Sequence, residues 1–184
     1  MKPLQQFDAE ALYLELARQV KEAVATLDNV AMVGIYSGGA WLAQRLVNDC
    51  QITQPVGFID VSFYRDDYAQ KGLPAEVKPT QIPFNVDGAT IILVDDVLYT
   101  GRTTRAAINE LFDYGRPARI LLASLVDRGG RQLPYAADFV AQTLTLPANL
   151  SLELTRADHD SRLVLRLVDK DDAASPATNT SNPT

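Results

Sequence analysis

Asp95-Asp96 and, one short loop later, Thr100-Gly101-Arg102-Thr103 are the residues of this chain whose types and spacing best suit chemistry. The acids follow Thr90-Ile91-Ile92-Leu93-Val94, an unbroken apolar and β-branched run of the kind that forms a central parallel strand covered on both faces. In a doubly wound sheet, ligands collect at the carboxyl ends of the strands, where this pair is expected. Thr100-Gly101-Arg102-Thr103 is expected to open a helix, whose first backbone N–H groups and dipole favour an anion. Gly101 lets the backbone approach a phosphate, and the hydroxyls of Thr100 and Thr103 add donors. With Val97-Leu98-Tyr99 as the link, one loop offers two carboxylates and a phosphate cradle. A ribose 5-phosphate presents the matching groups, vicinal hydroxyls and a phosphate.

Other readings of this loop fit less well. Acidic pairs after apolar strands also serve as metal ligands in response-regulator receivers, but there the pair lies near the chain start and no such helix opening is needed. The chain has no Gly-x4-Gly-Lys-Ser/Thr string, so it is not a P-loop protein. A purely structural role would leave two like charges together at a partly buried strand end, which is costly.

The elements that must position the loop are legible around it. Asp8 suits a helix cap, with Phe7 placed to staple against Leu12, and apolar residues recur at Leu12, Leu16, Val20, Ala23, Val24 and Leu27. Val30 to Tyr36 is of strand length, Ser37-Gly38-Gly39 punctuates it, and Ala40 to Asp49 follows as a helix burying Leu42 and Leu46. A second strand is expected over Val56 to Phe63. Tyr64 to Pro83, with prolines at 74, 79 and 83, is a long connection without a period, the usual form of a functional lid or a disordered loop. Thr103 to Tyr114 reads as a helix with Ala106, Ala107, Ile108, Leu111 and Phe112 inside, stopped by Gly115. Ala118 to Val126 is a fourth strand, and shorter strand-like pieces follow at 139–141, 150–154 and 163–168.

This alternation predicts an α/β fold, a doubly wound and mostly parallel sheet flanked by helices. The pieces after Arg128 are expected to form a small C-terminal hood, mainly 128–168. Residues 1–169 then make one domain, and 170–184 a disordered tail with almost nothing to bury.

Composition narrows the function classes. A chain of 184 residues, 47% apolar, buries one good core. No run approaches the roughly 18 apolar residues of a membrane span, and residues 1–6 lack the features of a signal peptide. The single cysteine, Cys50, excludes an internal disulfide and a cysteine-based zinc site. A soluble cytoplasmic protein is expected. The net charge of −6 argues against a generally basic nucleic-acid binder. The lone His159, in a polar stretch, reads as part of a surface turn.

Ile91 to Thr103 resembles the 5-phosphoribosyl-1-pyrophosphate (PRPP) signature of the type I phosphoribosyltransferases: apolar strand, two acids, then Thr-Gly-x-Thr. Asp60-Val61-Ser62-Phe63-Tyr64-Arg65-Asp66-Asp67 resembles the start of the flexible loop in one branch, the pyrimidine operon regulator/uracil phosphoribosyltransferase (PyrR) family. So does the segment Leu125-Val126-Asp127-Arg128-Gly129-Gly130-Arg131-Gln132-Leu133-Pro134, with Ala137-Asp138-Phe139-Val140 behind it. The likeness covers roughly residues 8–168. Purine relatives carry an acid immediately before the Thr of the PRPP loop. Tyr99 stands there in this chain, so the proton carrier for a purine nitrogen is missing and uracil is favoured.

The resemblance implies transfer of ribose 5-phosphate from PRPP to uracil, giving UMP and pyrophosphate, with Mg²⁺ bound to PRPP rather than directly by the protein. Asp95 and Asp96 would serve the ribose hydroxyls and the metal's water shell. Thr100, Gly101, Arg102 and Thr103 would hold the 5-phosphate, and Ser37-Gly38-Gly39 the pyrophosphate. The 64–83 loop would close over the site, with Arg65 or Arg128 reaching the pyrophosphate and the Val140 backbone reading the uracil edge. Relatives usually carry Arg or Lys, Thr and then often Arg where this chain has Tyr36, Ser37 and Gly38. On residues alone, Ser-Gly-Gly also fits a plain strand-to-helix turn. A homodimer or higher homo-oligomer is implied as well. The alternative is an attenuation regulator that binds leader RNA on a basic face containing Arg18, Lys21 and Arg131. Against it, Ala136 and Gln142 stand where RNA-binding relatives tend to carry Arg and Lys.

Overall fold

The computed structural model describes residues 7–61, 78–157 and 159–169. Asp8 caps the first helix, α1 (Ala9–Val24), its carboxylate accepting from the Ala11 N–H at 3.0 Å. The inner face of α1 is Ala9, Tyr13, Leu16 and Val20, each a helical turn apart. Tyr13 sits at its centre while Leu12 is half-buried, because the Tyr13 hydroxyl finds a partner in the Asp49 carboxylate. Burial, and then that carboxylate, push the Tyr13 hydroxyl far above its ordinary pKa, so it stays a donor. The helix stops at Val24 rather than near Leu27, where Thr26 and Leu27 continue as single turns bonded to Ala23 and Val24.

The remaining elements are β1 (Val30–Ile35), α2 (Gly38–Asp49), β2 (Gly57–Ile59), β3 (Thr90–Leu98), α3 (Arg102–Tyr114), β4 (Arg119–Asp127), β5 (Phe139–Thr143), β6 (Leu150–Arg156) and β7 (Leu163–Asp169). Five strands form one sheet in the order β2-β1-β3-β4-β5, every neighbouring pair parallel. This is the expected doubly wound α/β fold. Alternate residues of β3 serve its two faces. Ile92 and Val94 pack with α1 and α2, and Ile91 and Leu93 with Ala106, Ala107 and Leu111 of α3.

Several local expectations are corrected. The strand expected to reach Phe63 ends at Ile59, because Asp60 turns to other partners. Its N–H donates to the Thr80 hydroxyl at 3.2 Å and its carboxylate accepts from the Lys78 N–H at 2.8 Å. Phe58 and Gln81 also exchange backbone hydrogen bonds. The end of the long connection is therefore tied to the sheet edge, while residues 62–77, Arg65 among them, lie outside the described residues, as does the tail from 170. On α3, Phe112 is 42% exposed rather than internal, and Thr104 is buried on the inner face. Phe139–Thr143, expected with the hood, pairs in parallel with β4 and completes the main sheet.

The β6–β7 antiparallel hairpin forms the small C-terminal piece. Leu152, Leu154, Leu163 and Leu165 sink from it into the core shared with α1 and α2, and Phe7 bridges to Leu165. Glu10 joins this closure by accepting two bonds from Arg45, at 3.0 and 2.9 Å, and one from the Leu163 N–H at 2.8 Å. The Arg45 guanidinium, foremost, holds the Glu10 carboxyl below its ordinary range. Its contribution is therefore present at neutral pH and lost as pH falls through the lowered folded value. Burial pushes the Cys50 thiol up to about 11. His159 is exposed, as expected. No helix among the described residues is long and apolar enough to cross a membrane.

Candidate active site

The site forms where β3 outruns β1. Pairing with β1 ends at Gly34↔Val94, whereas pairing with β4 continues to Leu98↔Asp127. Asp95 and Asp96 therefore lie inside the strand, not after it, at the place where one neighbour has been replaced by the turn at 36–39. Strand alternation separates them. Asp95 lines a small cavity on the α3 face, and Asp96 lies against Gly38 on the α2 face. A Cβ on Gly38 would stand 2.3 Å from Asp96 Oδ2, and one on Gly39 2.3 Å from the Val94 carbonyl, so the turn needs both glycines to come this close. Asp95 Oδ1 accepts from the Asp96 N–H and Asp96 Oδ1 from the Val97 N–H, each at 3.0 Å, which fixes both carboxyl groups.

Gly101 opens α3 in the left-handed region at φ 92°, a conformation that suits glycine. The Thr100 hydroxyl accepts from the Arg102 N–H at 3.3 Å. Asp95, Val97, Leu98, Tyr99, Thr100, Gly101, Thr103 and Thr104 together line a cavity of about 30 Å³ at the helix N-terminus. Thr100, Gly101 and Thr103 of the expected cradle thus line one cavity, Arg102 does not, and Thr104 joins them. The helical pattern gave no signal for Thr104, because a threonine among apolar neighbours reads as a tolerated core position.

A second loop, following β4, braces the first. The Gln132 and Leu133 N–H groups both donate to the Thr100 carbonyl at 3.0 Å, and the Arg128 N–H donates to the Leu98 carbonyl at 3.0 Å. Arg131 donates to the Tyr99 carbonyl, to the Tyr135 carbonyl at 2.7 Å and to Asp127 Oδ2 at 2.5 Å. The RNA-binding alternative puts Arg131 on a basic face. Its guanidinium is instead spent clasping the two loops together. The Tyr99 ring is held between the Arg128 guanidinium, 4.0 Å from its centroid, and Gly130, whose added Cβ would stand 2.4 Å from Tyr99 Cε2.

Two residues expected to contact ligand have partners within the protein. Arg128 is 3% exposed and donates to the Pro147 carbonyl at 3.4 Å, so it backs Tyr99 rather than reaching outward, and burial lowers its pKa. The Val140 backbone is already paired. Its N–H donates to Gln19 Oε1 at 3.1 Å and its carbonyl accepts from Gln19 Nε2 at 2.9 Å, so the N–H is committed while the carbonyl keeps one lone pair.

Ser37 heads α2 without a side-chain capping bond, so its hydroxyl is not committed to the helix. Tyr36 before it stacks on Phe58 at 5.5 Å, and the Lys78 ammonium lies 5.2 Å from its ring centre. Lys78 thus brings a cation beside a turn that contains none. Its position 42 residues further along a poorly patterned connection (78 − 36) left no sequence signal.

Acids on a strand that outruns its neighbour, followed at once by a glycine-opened helix, are the arrangement that the resemblance to the phosphoribosyltransferases implies. The family model described as "Phosphoribosyl transferase domain" matches residues 5–151. Solved structures agree in fold. A hypoxanthine-guanine phosphoribosyltransferase from Bacillus anthracis, 16% identical, aligns over 91% of this chain and 99% of that one with a TM-score of 0.65. The hypoxanthine phosphoribosyltransferase of Trypanosoma cruzi, also 16% identical, aligns over 89% and 94% with a TM-score of 0.60. In sequence, the chain is 53% identical over 152 residues to the "Bifunctional protein PyrR" of Ralstonia nicotianae, covering 82% of this chain and 87% of the relative. It is 48% identical over 153 residues to that of Nitrosococcus oceani, covering 81% and 86%. The chain belongs to the PyrR family of type I phosphoribosyltransferases.

Proposed function

We propose that the protein transfers ribose 5-phosphate from PRPP to N1 of uracil, giving UMP and pyrophosphate. The observation that carries this reading is the run 95–104, where two fixed carboxylates and an anion cradle share one strand-loop-helix unit. In this reading Asp95 and Asp96 bind the ribose hydroxyls, the 100–103 backbone and hydroxyls hold the 5-phosphate, and Ser37-Gly38-Gly39 receives the pyrophosphate. Arg65 keeps the role the resemblance implies, towards the pyrophosphate. Val97 and Leu98 carry the strand to its end, and Arg102 is tied back to Gln132 Oε1 at 3.0 Å, which steadies the helix start.

The transition state has oxocarbenium character, so positioning and support of the departing pyrophosphate dominate catalysis. Among the described residues no group of three or more His, Cys, Asp or Glu side chains could hold a metal ion alone. The Asp95 and Asp96 carboxylates suit Mg²⁺, which keeps waters and binds through one or two carboxylates plus substrate oxygens. When bound with PRPP, Mg²⁺ would neutralise charge on the leaving group. Tyr99, pinned between Arg128 and Gly130, offers no carboxylate to a purine ring nitrogen. A cytoplasmic homodimer or higher homo-oligomer completes this reading. The test is an assay of purified protein with PRPP, Mg²⁺ and a panel of bases. Uracil-dependent consumption of PRPP is expected, and a preference for hypoxanthine or guanine would overturn the pyrimidine assignment.

The relatives' printed name, bifunctional, supports a second reading as an RNA-binding regulator. Of the three cations assigned to that face, Lys21 is exposed and the other two are engaged. Arg18 is bonded to Glu15 and Glu22 on its own helix face, and Arg131 is the clasp just described. Affinity for a pyrimidine-operon leader RNA is therefore expected to be weak at physiological salt, with a shallow salt dependence. Fluorescence anisotropy across a salt series measures both, and tight binding with a steep slope would restore the regulator reading.

A further inference from the structure

We propose that the Thr104 hydroxyl is a further ligand for the 5-phosphate of the ribosyl substrate, reaching the anion from the inner side of the cradle. This deepens the phosphoribosyltransferase reading and rests on it. Thr104 is 1% exposed, and its Oγ1 has no hydrogen-bond partner among the described residues. It lines the same cavity as Asp95, Thr100, Gly101 and Thr103. A threonine inside a helix ordinarily relieves its hydroxyl on the carbonyl four residues back. Here that carbonyl belongs to Thr100 and already accepts from the N–H groups of Gln132 and Leu133, both at 3.0 Å. Both lone pairs are used, so the local escape is closed.

An orphaned hydroxyl in a core is unfavourable, and a valine would fill the same space beside Ala107 and Leu111 without that cost. The cost is offset when an acceptor enters the cavity. The acceptor fitting a helix N-terminus, two further threonine hydroxyls and a glycine backbone is a phosphate oxygen. The Thr104 O–H would donate to it, adding a side-chain bond below the plane of the backbone N–H groups.

The proposal predicts effects of opposite sign on the free and the bound protein. In the full chain, Thr104→Val should raise the thermal midpoint of the free protein. It should also weaken ribose 5-phosphate about tenfold, the size of one hydrogen bond to a charged group, and raise KM for PRPP to match, with KM for uracil unchanged. Thr104→Ser, which keeps the hydroxyl, should restore the affinity. Calorimetric titration with ribose 5-phosphate and, separately, with inorganic phosphate distinguishes the substrate's phosphate from a free anion. A loss confined to inorganic phosphate, with KM for PRPP intact, overturns the proposal. So does wild-type affinity for ribose 5-phosphate in Thr104→Val, or a lower midpoint in its free form, which would mean the hydroxyl is already satisfied. If the wild type binds ribose 5-phosphate through Thr104 but transfers it to no base, the assigned reaction fails while the Thr104 contact stands. If the wild type binds no ribose 5-phosphate at all, both fall.

Discussion

Replacing Asp95 and Asp96 together by Asn lowers kcat/KM for PRPP by about a thousandfold while leaving the fold intact, because two charge-assisted hydrogen bonds at roughly 1.5–3 kcal/mol each are exchanged for weaker neutral ones. The fold survives because each Asn keeps the oxygen that accepts the local bond, from the Asp96 and Val97 N–H groups respectively. Removing two adjacent negative charges also relieves repulsion at a strand end where Asp95 is only 6% exposed. The single variants separate the two roles. Asp96 lies against Gly38, so Asp96→Asn, which removes a carboxylate for the water shell of Mg²⁺, should mainly weaken inhibition by Mg²⁺-pyrophosphate. Asp95 shares the cavity with Thr100 and Thr103, so Asp95→Asn should mainly raise KM for PRPP. Steady-state kinetics alongside circular dichroism melts measure all of this. Wild-type turnover in the double variant would remove the carboxylates from the mechanism.

Arg131→Ala has the next largest expected effect, on stability and substrate binding together. It deletes bonds to two carbonyls and to Asp127, and leaves the Tyr99 carbonyl and the Asp127 carboxylate to find new partners. The side chains of the pair are 23% and 18% exposed, so solvent relieves part of the loss. A destabilisation of about 2–3 kcal/mol is expected, read as a fall of roughly 5–10 °C in Tm for a domain of this size. The loop carrying Tyr99 and Thr100 then loses its brace, so KM for PRPP should rise as well. Arg131→Lys should not rescue the variant, because one ammonium cannot span three acceptors placed around a planar fork. Unchanged Tm and KM in Arg131→Ala would show that the backbone bonds from Gln132 and Leu133 suffice.

What could be read from sequence was what local pattern encodes. The β3 run, the acids and the Thr-Gly-Arg-Thr helix start lie within one continuous stretch, so periodicity, turn chemistry and charge agree there. The same holds for α2, with Leu42 and Leu46 buried as expected. The errors arise where a residue's partner is remote. Val140 looks wholly available until Gln19, distant in sequence, bonds to both its backbone groups. Arg131 and Arg128 look like surface cations until the loop from β4 folds across the PRPP loop. Phe139–Thr143 is too short and too evenly half-buried to announce a parallel pairing with β4. On α3, Phe112 is apolar in type but faces solvent, and Thr104 is polar in type but faces inward, so residue type misleads at both positions.

The meeting of α1 with the β6–β7 hairpin has a consequence for how the chain is made. The helix leaves the ribosome more than a hundred residues ahead of the surfaces of β5–β7 that cover it. Val140 docks on Gln19, Leu163 donates to Glu10, and Leu165 bridges to Phe7. Throughout most of translation the apolar stripe of Tyr13, Leu16 and Val20 therefore lacks part of its cover. Contacts this distant along the chain slow folding, since loop closure must be completed before they form. A nascent chain halted before residue 163 would display that stripe to chaperones and to other chains, which makes emergence of β7 the event that completes its cover.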